Sequence, residues 1–360
     1  MNELATTTHE VPTPEVKLFA EGTVIPAHPL ALTPERKFDE RCQRALTRYY
    51  IASGAGGLAV GVHTTQFAIH EPSVGLLEPV LALAAETVRE ARLGRPFICV
   101  AGAVGDVSQA VGEAELAASL GYQAVLLSPS GTASLSEDHL LERAQAVGEV
   151  LPVIGFYLQQ AVGGRYLSRA FWRRFADLPS VIGIKIAPFD RYRSVDVLRA
   201  VAESERGEEV ALYTGNDDAI VTDLLSPFVA SLDGRTVTRR IVGGLLGQWA
   251  VWTQAAVNLH EQARLAYGGD DALLRSLLER SHQLTDANGA VFDAPNAFRG
   301  CIAGVNHVLH QQGLLSGAWC LDEEECLSPG QMEEIDRVRR MYPWIVDDDF
   351  VAEHLDEWLS

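Results

Sequence analysis

The chain is short of positive charge. It carries 29 Lys and Arg against 48 Asp and Glu, a formal net charge of −19 over 360 residues. A phosphate backbone is held by clustered Lys and Arg, so this balance argues against nucleic acid and against anionic membranes as partners. It leaves room for a small anionic substrate, because the field inside a pocket can oppose the global one. Long apolar runs are lacking too, and none approaches the roughly 18 residues of a membrane span. Cysteine is sparse: Cys42, Cys99, Cys301, Cys320 and Cys326, with no CxxC spacing. An odd, scattered set fits a reducing compartment better than a disulfide framework, and Cys320 with Cys326 makes no zinc pattern. The opening Met1-Asn2-Glu3-Leu4 lacks the basic and apolar stretches of a secretory signal. Together these predict a soluble, cytoplasmic protein.

A phosphate-binding glycine loop is missing as well. Gly54-Ala55-Gly56-Gly57 precedes a strand pattern instead of following one. Gly102-Ala103-Val104-Gly105 does follow one, but has neither GxGxxG spacing nor a Walker lysine. A doubly wound nucleotide-binding sheet is therefore not indicated.

What is present is rhythm. Residues 1–20 are polar, carry Pro12 and Pro14, and read as an extended arm. From residue 21 to 268, short β-branched runs alternate with amphipathic helical patterns. The strand patterns are Thr23–Pro26, Gly57–Val62, Phe97–Ala101, Ala124–Ser128, Val153–Tyr157, Val181–Ile186, Val210–Thr214 and Ile241–Gly244. Helical spacing fills the intervals, the first at Glu35–Ala52 and the last two at Ala219–Val229 and Gln248–Tyr267. Asp106 and Ser136 read as N-caps, and Gly94 and Gly121 as left-handed helix ends. Eight such units predict an α/β fold, a (β/α)8 TIM barrel. Residues 269–341 keep helical spacing without strands and form a C-terminal helical appendage. Residues 342–360 form an acidic, aromatic tail that docks on the barrel or on a neighbouring subunit.

One residue in this pattern is out of place. Lys185 lies inside Val181-Ile182-Gly183-Ile184-Lys185-Ile186, a strand that reads as buried. Burial disfavours the ammonium and pulls a lysine down from about 10.4. A neutral amine attacks ketones and aldehydes to give a Schiff base. The plain alternative is a snorkelling lysine at a strand end. In a (β/α)8 barrel the chemistry sits at the carboxyl ends of the strands. There the sequence puts His63-Thr64-Thr65 after strand two, Tyr157 ending strand five, Lys185 in strand six, Gly215-Asn216-Asp217-Asp218 after strand seven, where Asn216 and Asp217 read as loop-ordering residues, and Gly243-Gly244 in strand eight.

This ordered set resembles the dihydrodipicolinate synthase and N-acetylneuraminate lyase family of class I aldolase-type barrels, over residues 21 to about 340. The resemblance implies a divergent, cofactor-free lyase acting on a 2-oxo acid such as pyruvate. Lys185 would form the imine and Tyr157 would shuttle protons. Thr64 and Thr65 would offer hydroxyl and N–H groups to a carboxylate. Gly243 would leave room for the ligand, and His63 would touch it at the rim. The family assembles from dimers, so a homo-oligomer, dimer or tetramer, is expected. The small-molecule partners would be a 2-oxo acid and an aldehyde or sugar acid. A sugar-acid dehydratase on the same lysine, or a non-catalytic metabolite-binding barrel, are the alternatives.

The departures bear on the substrate. The family's arginine after strand five is replaced by Val162, with Arg165 three residues on. The tyrosine pair after strand four is replaced by Pro129-Ser130-Gly131. Both changes point away from dihydrodipicolinate synthesis, and Leu158 with Val162 makes one side of the pocket apolar. His28 is a further rim candidate. His307 and His310 share a helix face without a partner carboxylate and read as structural.

Overall fold

The computed structural model describes residues 12–360. Ten strands occur in chain order: β1 Val24–Pro26, β2 Gly57–Val60, β3 Ile98–Ala103, β4 Ala124–Leu127, β5 Val153–Leu158, β6 Val181–Ala187, β7 Ala211–Thr214, β8 Phe228–Leu232, β9 Arg235–Arg239 and β10 Ile241–Leu246. Eight of them form one parallel sheet in the order β1-β10-β7-β6-β5-β4-β3-β2. A parallel bridge between Ala27 and Ala59 joins its first and last strands. The ring is thus closed, with helices between successive strands: a (β/α)8 barrel as expected. Its strands are buried on both faces, as β-branched, near-continuous apolar runs require.

Alternation along each strand decides what points where. In β5, Ile154, Phe156 and Leu158 face the barrel interior, while Val153 and Tyr157 face the helix layer. In β6, Ile184 and Ile186 pack outward, which turns Lys185 inward. Phe156 and Lys185 are direct neighbours in the ladder.

Local punctuation holds at Asp106, whose carboxylate accepts from Gln109 N–H, and at Ser136, whose hydroxyl accepts from His139 N–H. Gly121 ends its helix at φ 88°. Gly94 does not cap: that helix stops at Glu90, and Arg92 takes the left-handed conformation. The first barrel helix begins later than its apolar spacing suggested, at Glu40, because Asp39 caps it.

Three larger differences matter. First, the arm is not extended throughout. Pro14–Glu21 is a helix, capped by Thr13 with Pro14 at its first turn, where a missing N–H costs nothing. Residues 1–11 lie outside the described residues. Phe19 from this helix is fully buried, stacks on Tyr213 at 4.3 Å and plugs the amino-terminal end of the barrel. The phenol of Tyr213 donates to the Phe19 carbonyl at 2.7 Å and locks the plug. Second, the helix expected at Ala219–Val229 runs only from Ile220 to Leu225. Beyond it, β8 and β9 pair as an antiparallel hairpin around Asp233-Gly234. Both turn residues have positive φ (49° and 76°), as a two-residue hairpin turn demands. Third, the tail folds. Asp348–Trp358 is a helix that packs on the first barrel helix, and Arg48 donates to the carbonyls of Trp358 and Ser360.

The plug makes a clear expectation. Phe19→Ala should lower unfolding stability by about 3–5 kcal/mol, the usual cost of emptying a buried aromatic site. Denaturant titration checks it, and an unchanged midpoint would mean the helix does not close the barrel.

Candidate active site

At the carboxyl end of the barrel lies a narrow pocket. Lys185 reaches into it from β6 and is only 6% exposed. Its ammonium nitrogen sits 4.2 Å from the centre of the Phe156 ring. The space for its stem comes from Gly215: a Cβ there would lie 2.7 Å from Lys185 Cε and 2.8 Å from Ala187 Cβ. Burial pulls the amine down from its ordinary range, and a nearby carboxylate, Asp217, pulls it partly back.

Asp217 follows β7 and also lines the pocket, 8% exposed. Gln248 N–H donates to its Oδ1 at 3.1 Å. Asn288 donates to its main-chain carbonyl at 2.6 Å, which ties the loop to the C-terminal helices. Desolvation raises this carboxyl well above the usual carboxylate range. A buried amine and a buried carboxyl, shifted in opposite directions mainly by desolvation, thus face one cavity, an arrangement that marks a candidate functional site.

The remaining expected residues divide. His63 and Thr64 line the pocket. Burial and the charge of Lys185 hold His63 down at about 4, so it is neutral near pH 7. Thr64 donates its hydroxyl to the Ala27 carbonyl at 2.7 Å. Thr65 is buried beneath the turn: its hydroxyl accepts from Gly61 N–H and Val62 N–H and donates to the His28 carbonyl. It shapes the turn and does not reach the pocket.

Besides Thr65, two more site expectations are corrected. Tyr157 points out of the barrel. It is 1% exposed, packs on Trp172 at 5.2 Å, and its phenol donates to the Leu167 carbonyl. The inward position is taken by its neighbour Phe156, and one residue along a strand is one face of the sheet. Gly243 is likewise not at the ligand. A Cβ there would strike Thr23 and the ring of Tyr213, so its glycine serves close packing near the plug. Arg165 does not stand in for the missing arginine, because its guanidinium binds the main-chain carbonyls of Thr132 and Leu135. His28 is also structural, bonded to Thr47 and Gln43. His307 and His310 lie on Cys301–Gln311, and neither lines the pocket.

Sequence reading missed the roof. Phe292, Phe298 and Cys301 from the C-terminal region line the pocket together with Phe189, Leu158 and Val162. Phe189 and Phe298 meet edge to face at 5.6 Å. Both have positive φ, 51° and 66°, which is rare for a bulky residue. Each is held in place. Asn216 accepts from Phe189 N–H, and Asp293 accepts from Gly300 N–H and the Ser328 hydroxyl. Such strain persists only where the surroundings over-determine it.

No family model matches this sequence, and no curated protein matches it. Solved structures do. CdNal from Clostridium difficile, in complex with mannosamine, superposes with a TM-score of 0.69 at 16% identity, over 89% of this chain and 99% of that one. Dihydrodipicolinate synthase from Oceanobacillus iheyensis does so at 0.69 and 19%, over 91% and 98%. YagE, an E. coli K12 prophage protein of the dihydrodipicolinic acid synthase family in complex with pyruvate, gives 0.71 and 17%, over 89% and 98%. At these identities the likeness is one of fold. The chain shares the fold of these structures over nearly their whole length.

Gly215→Ala tests the geometry around the lysine. The added methyl should displace the Lys185 stem and slow its reaction with carbonyl reagents by an order of magnitude or more, with the circular dichroism unchanged. Unaltered labelling of Lys185 would show that the stem has other room.

Proposed function

We propose that the chain is a divergent member of the dihydrodipicolinate synthase and N-acetylneuraminate lyase family, a Schiff-base lyase acting on a 2-oxo acid. The observation that carries this reading is Lys185: one amine, desolvated inside a closed barrel, at the mouth where this fold does its chemistry. Its neutral form would attack the ketone carbon and give an imine. The protonated imine is an electron sink, so a bond one carbon further on can break or form. No separate cofactor is required, since the covalent imine takes that role.

The substrate's other half is read from the walls. Leu158, Val162, Phe189, Phe292 and Phe298 make a largely apolar surface, and no arginine lines it. An aldehyde with an apolar or aromatic body would pack on such a wall, whereas the carboxylate of aspartate semialdehyde would meet no arginine there. Dihydrodipicolinate synthesis is therefore disfavoured. The outward-facing Tyr157 supports one second reading, a barrel that binds a metabolite without turning it over. The family likeness also carries the expectation of a cytoplasmic homodimer or tetramer. Among the described residues, no helix is long and apolar enough to cross a membrane.

Borohydride reduction in the presence of pyruvate or 2-oxobutanoate separates the two. The expected result is a stable mass increase on Lys185, absent in Lys185→Ala. An unchanged mass across a panel of 2-oxo acids would leave the binding reading in possession.

A further inference from the structure

An imine mechanism moves protons at several steps, and the residue expected to move them faces the wrong way. Phe156, which occupies its inward position, has no proton to give. Something else lining the pocket must do this work. The titratable groups around Lys185 there are Asp217, His63 and Cys301.

We infer that Asp217 is the acid–base residue of this site, taking the place of a strand-five phenol. The inference rests on the Schiff-base reading above. Asp217 faces Lys185 across the pocket, buried with it. Gln248 N–H fixes Oδ1, which orients the carboxyl and leaves Oδ2 for the ligand. The groups facing it are Lys185 from β6, Cys301 from the C-terminal helix and Asp218 beside it on its own loop, with His63 across the pocket. His63 is the weaker candidate: held at about 4, it is a poor proton carrier near neutrality. Cys301 is pushed far up by burial and is a thiol, not a thiolate.

The steps balance with this one group. Neutral Lys185 attacks C2 of the 2-oxo acid, the N–C bond forms, and the carbonyl oxygen becomes a hydroxyl after a proton moves from nitrogen to oxygen. Protonated Asp217 then gives its proton to that hydroxyl, the C–O bond breaks, and water leaves the iminium behind. Asp217 is now a carboxylate beside a cation. In the cleavage direction it removes the proton of the C4 hydroxyl, the C3–C4 bond breaks, the aldehyde departs, and the electron pair passes to the iminium to give an enamine. Asp217 returns the proton to C3, and water hydrolyses the imine. With pyruvate alone, the same carboxylate takes a proton from C3 and gives one back, which exchanges the methyl hydrogens with solvent.

That exchange is the test. In D₂O, the pyruvate methyl signal is followed by proton NMR with the full-length wild type, Asp217→Asn, Asp217→Ala, His63→Gln and Tyr157→Phe, with borohydride trapping of Lys185 in parallel. The expected result is at least a ~100-fold loss of exchange in Asp217→Asn, the usual loss for a general acid–base group, with a trapped Lys185 adduct still detectable after long incubation. Tyr157→Phe should exchange as the wild type does. Asp217→Ala guards against a folding artefact, because added formate should restore part of its exchange by entering the vacated space. Exchange that survives in Asp217→Asn overturns the assignment, as does a loss seen only in His63→Gln or Tyr157→Phe. If Asp217→Asn and Asp217→Ala both lose trapping and formate restores nothing, Asp217 is structural and the assignment falls while the imine stands. A wild type that traps no 2-oxo acid removes the imine itself, and this role with it.

Discussion

The arrangement depends on keeping one amine out of water. A lysine inside a closed parallel barrel loses hydration that no backbone ladder replaces. The fold meets this in three ways. The ring of Phe156 offers its face to the nitrogen, and such a contact strengthens as water is excluded. The missing side chain of Gly215 lets the stem lie flat along β7. Asp217 supplies the one carboxylate that keeps protonation within reach. Remove the carboxylate and the amine drops further toward a permanently neutral state. The environment of Lys185 is therefore set by neighbours on β5 and just after β7, not by its own strand alone.

Much of this was legible in the sequence, and the reasons differ from residue to residue. The barrel itself was, because β-branched runs at βα spacing have few other solutions. Lys185 was, because a charge inside an apolar run is conspicuous. Tyr157 was misread because the position of a tyrosine at a strand end does not tell which face it takes. β5 alternates without interruption from Val153, which turns Tyr157 outward, and one extra residue in β6 pairs Lys185 with Phe156 instead of Tyr157; such a bulge leaves no compositional trace. The hairpin of β8 and β9 was legible and overlooked: alternating residues flank Asp233-Gly234, a strong turn signal. Asp217 was visible beside Asn216 and Asp218, yet only the fold separates their roles. Asn216 bonds Phe189 N–H, Ser194 and Asp223 and braces the loop, while Asp217 turns to the cavity.

The roof was not legible at all. Phe292, Phe298 and Cys301 lie more than a hundred residues from Lys185 in sequence, and nothing local marks them as pocket residues. Their placement rests on left-handed backbone at Asp293, Ala297 and Phe298, none of them glycine. Only tertiary contacts, chiefly the carboxylate of Asp293 bridging Gly300 and Ser328, make that conformation tolerable. The helices after the barrel are thus part of the site. Asn288 ties them to the carbonyl of Asp217, so the same segment that shapes the apolar wall also holds the loop bearing the carboxyl.

On the imine mechanism proposed above, charge counting inside the pocket constrains the order of events. Lys185 and Asp217 are together neutral, whether as an ion pair or as amine and acid. A 2-oxo acid brings one further negative charge, and no arginine waits to meet it. Two anions beside one cation in a dry cavity are costly, and the cheapest relief is a shared proton. Arrival of the substrate carboxylate therefore pushes Asp217 toward its protonated form. The proton it gains is the one that carbinolamine dehydration needs. Once the iminium forms, the charge balance reverses: a fixed cation now favours the carboxylate, which is the form that removes a proton. On that mechanism the site would need no second acid or base, because the charge of its own intermediate would switch Asp217 from one to the other.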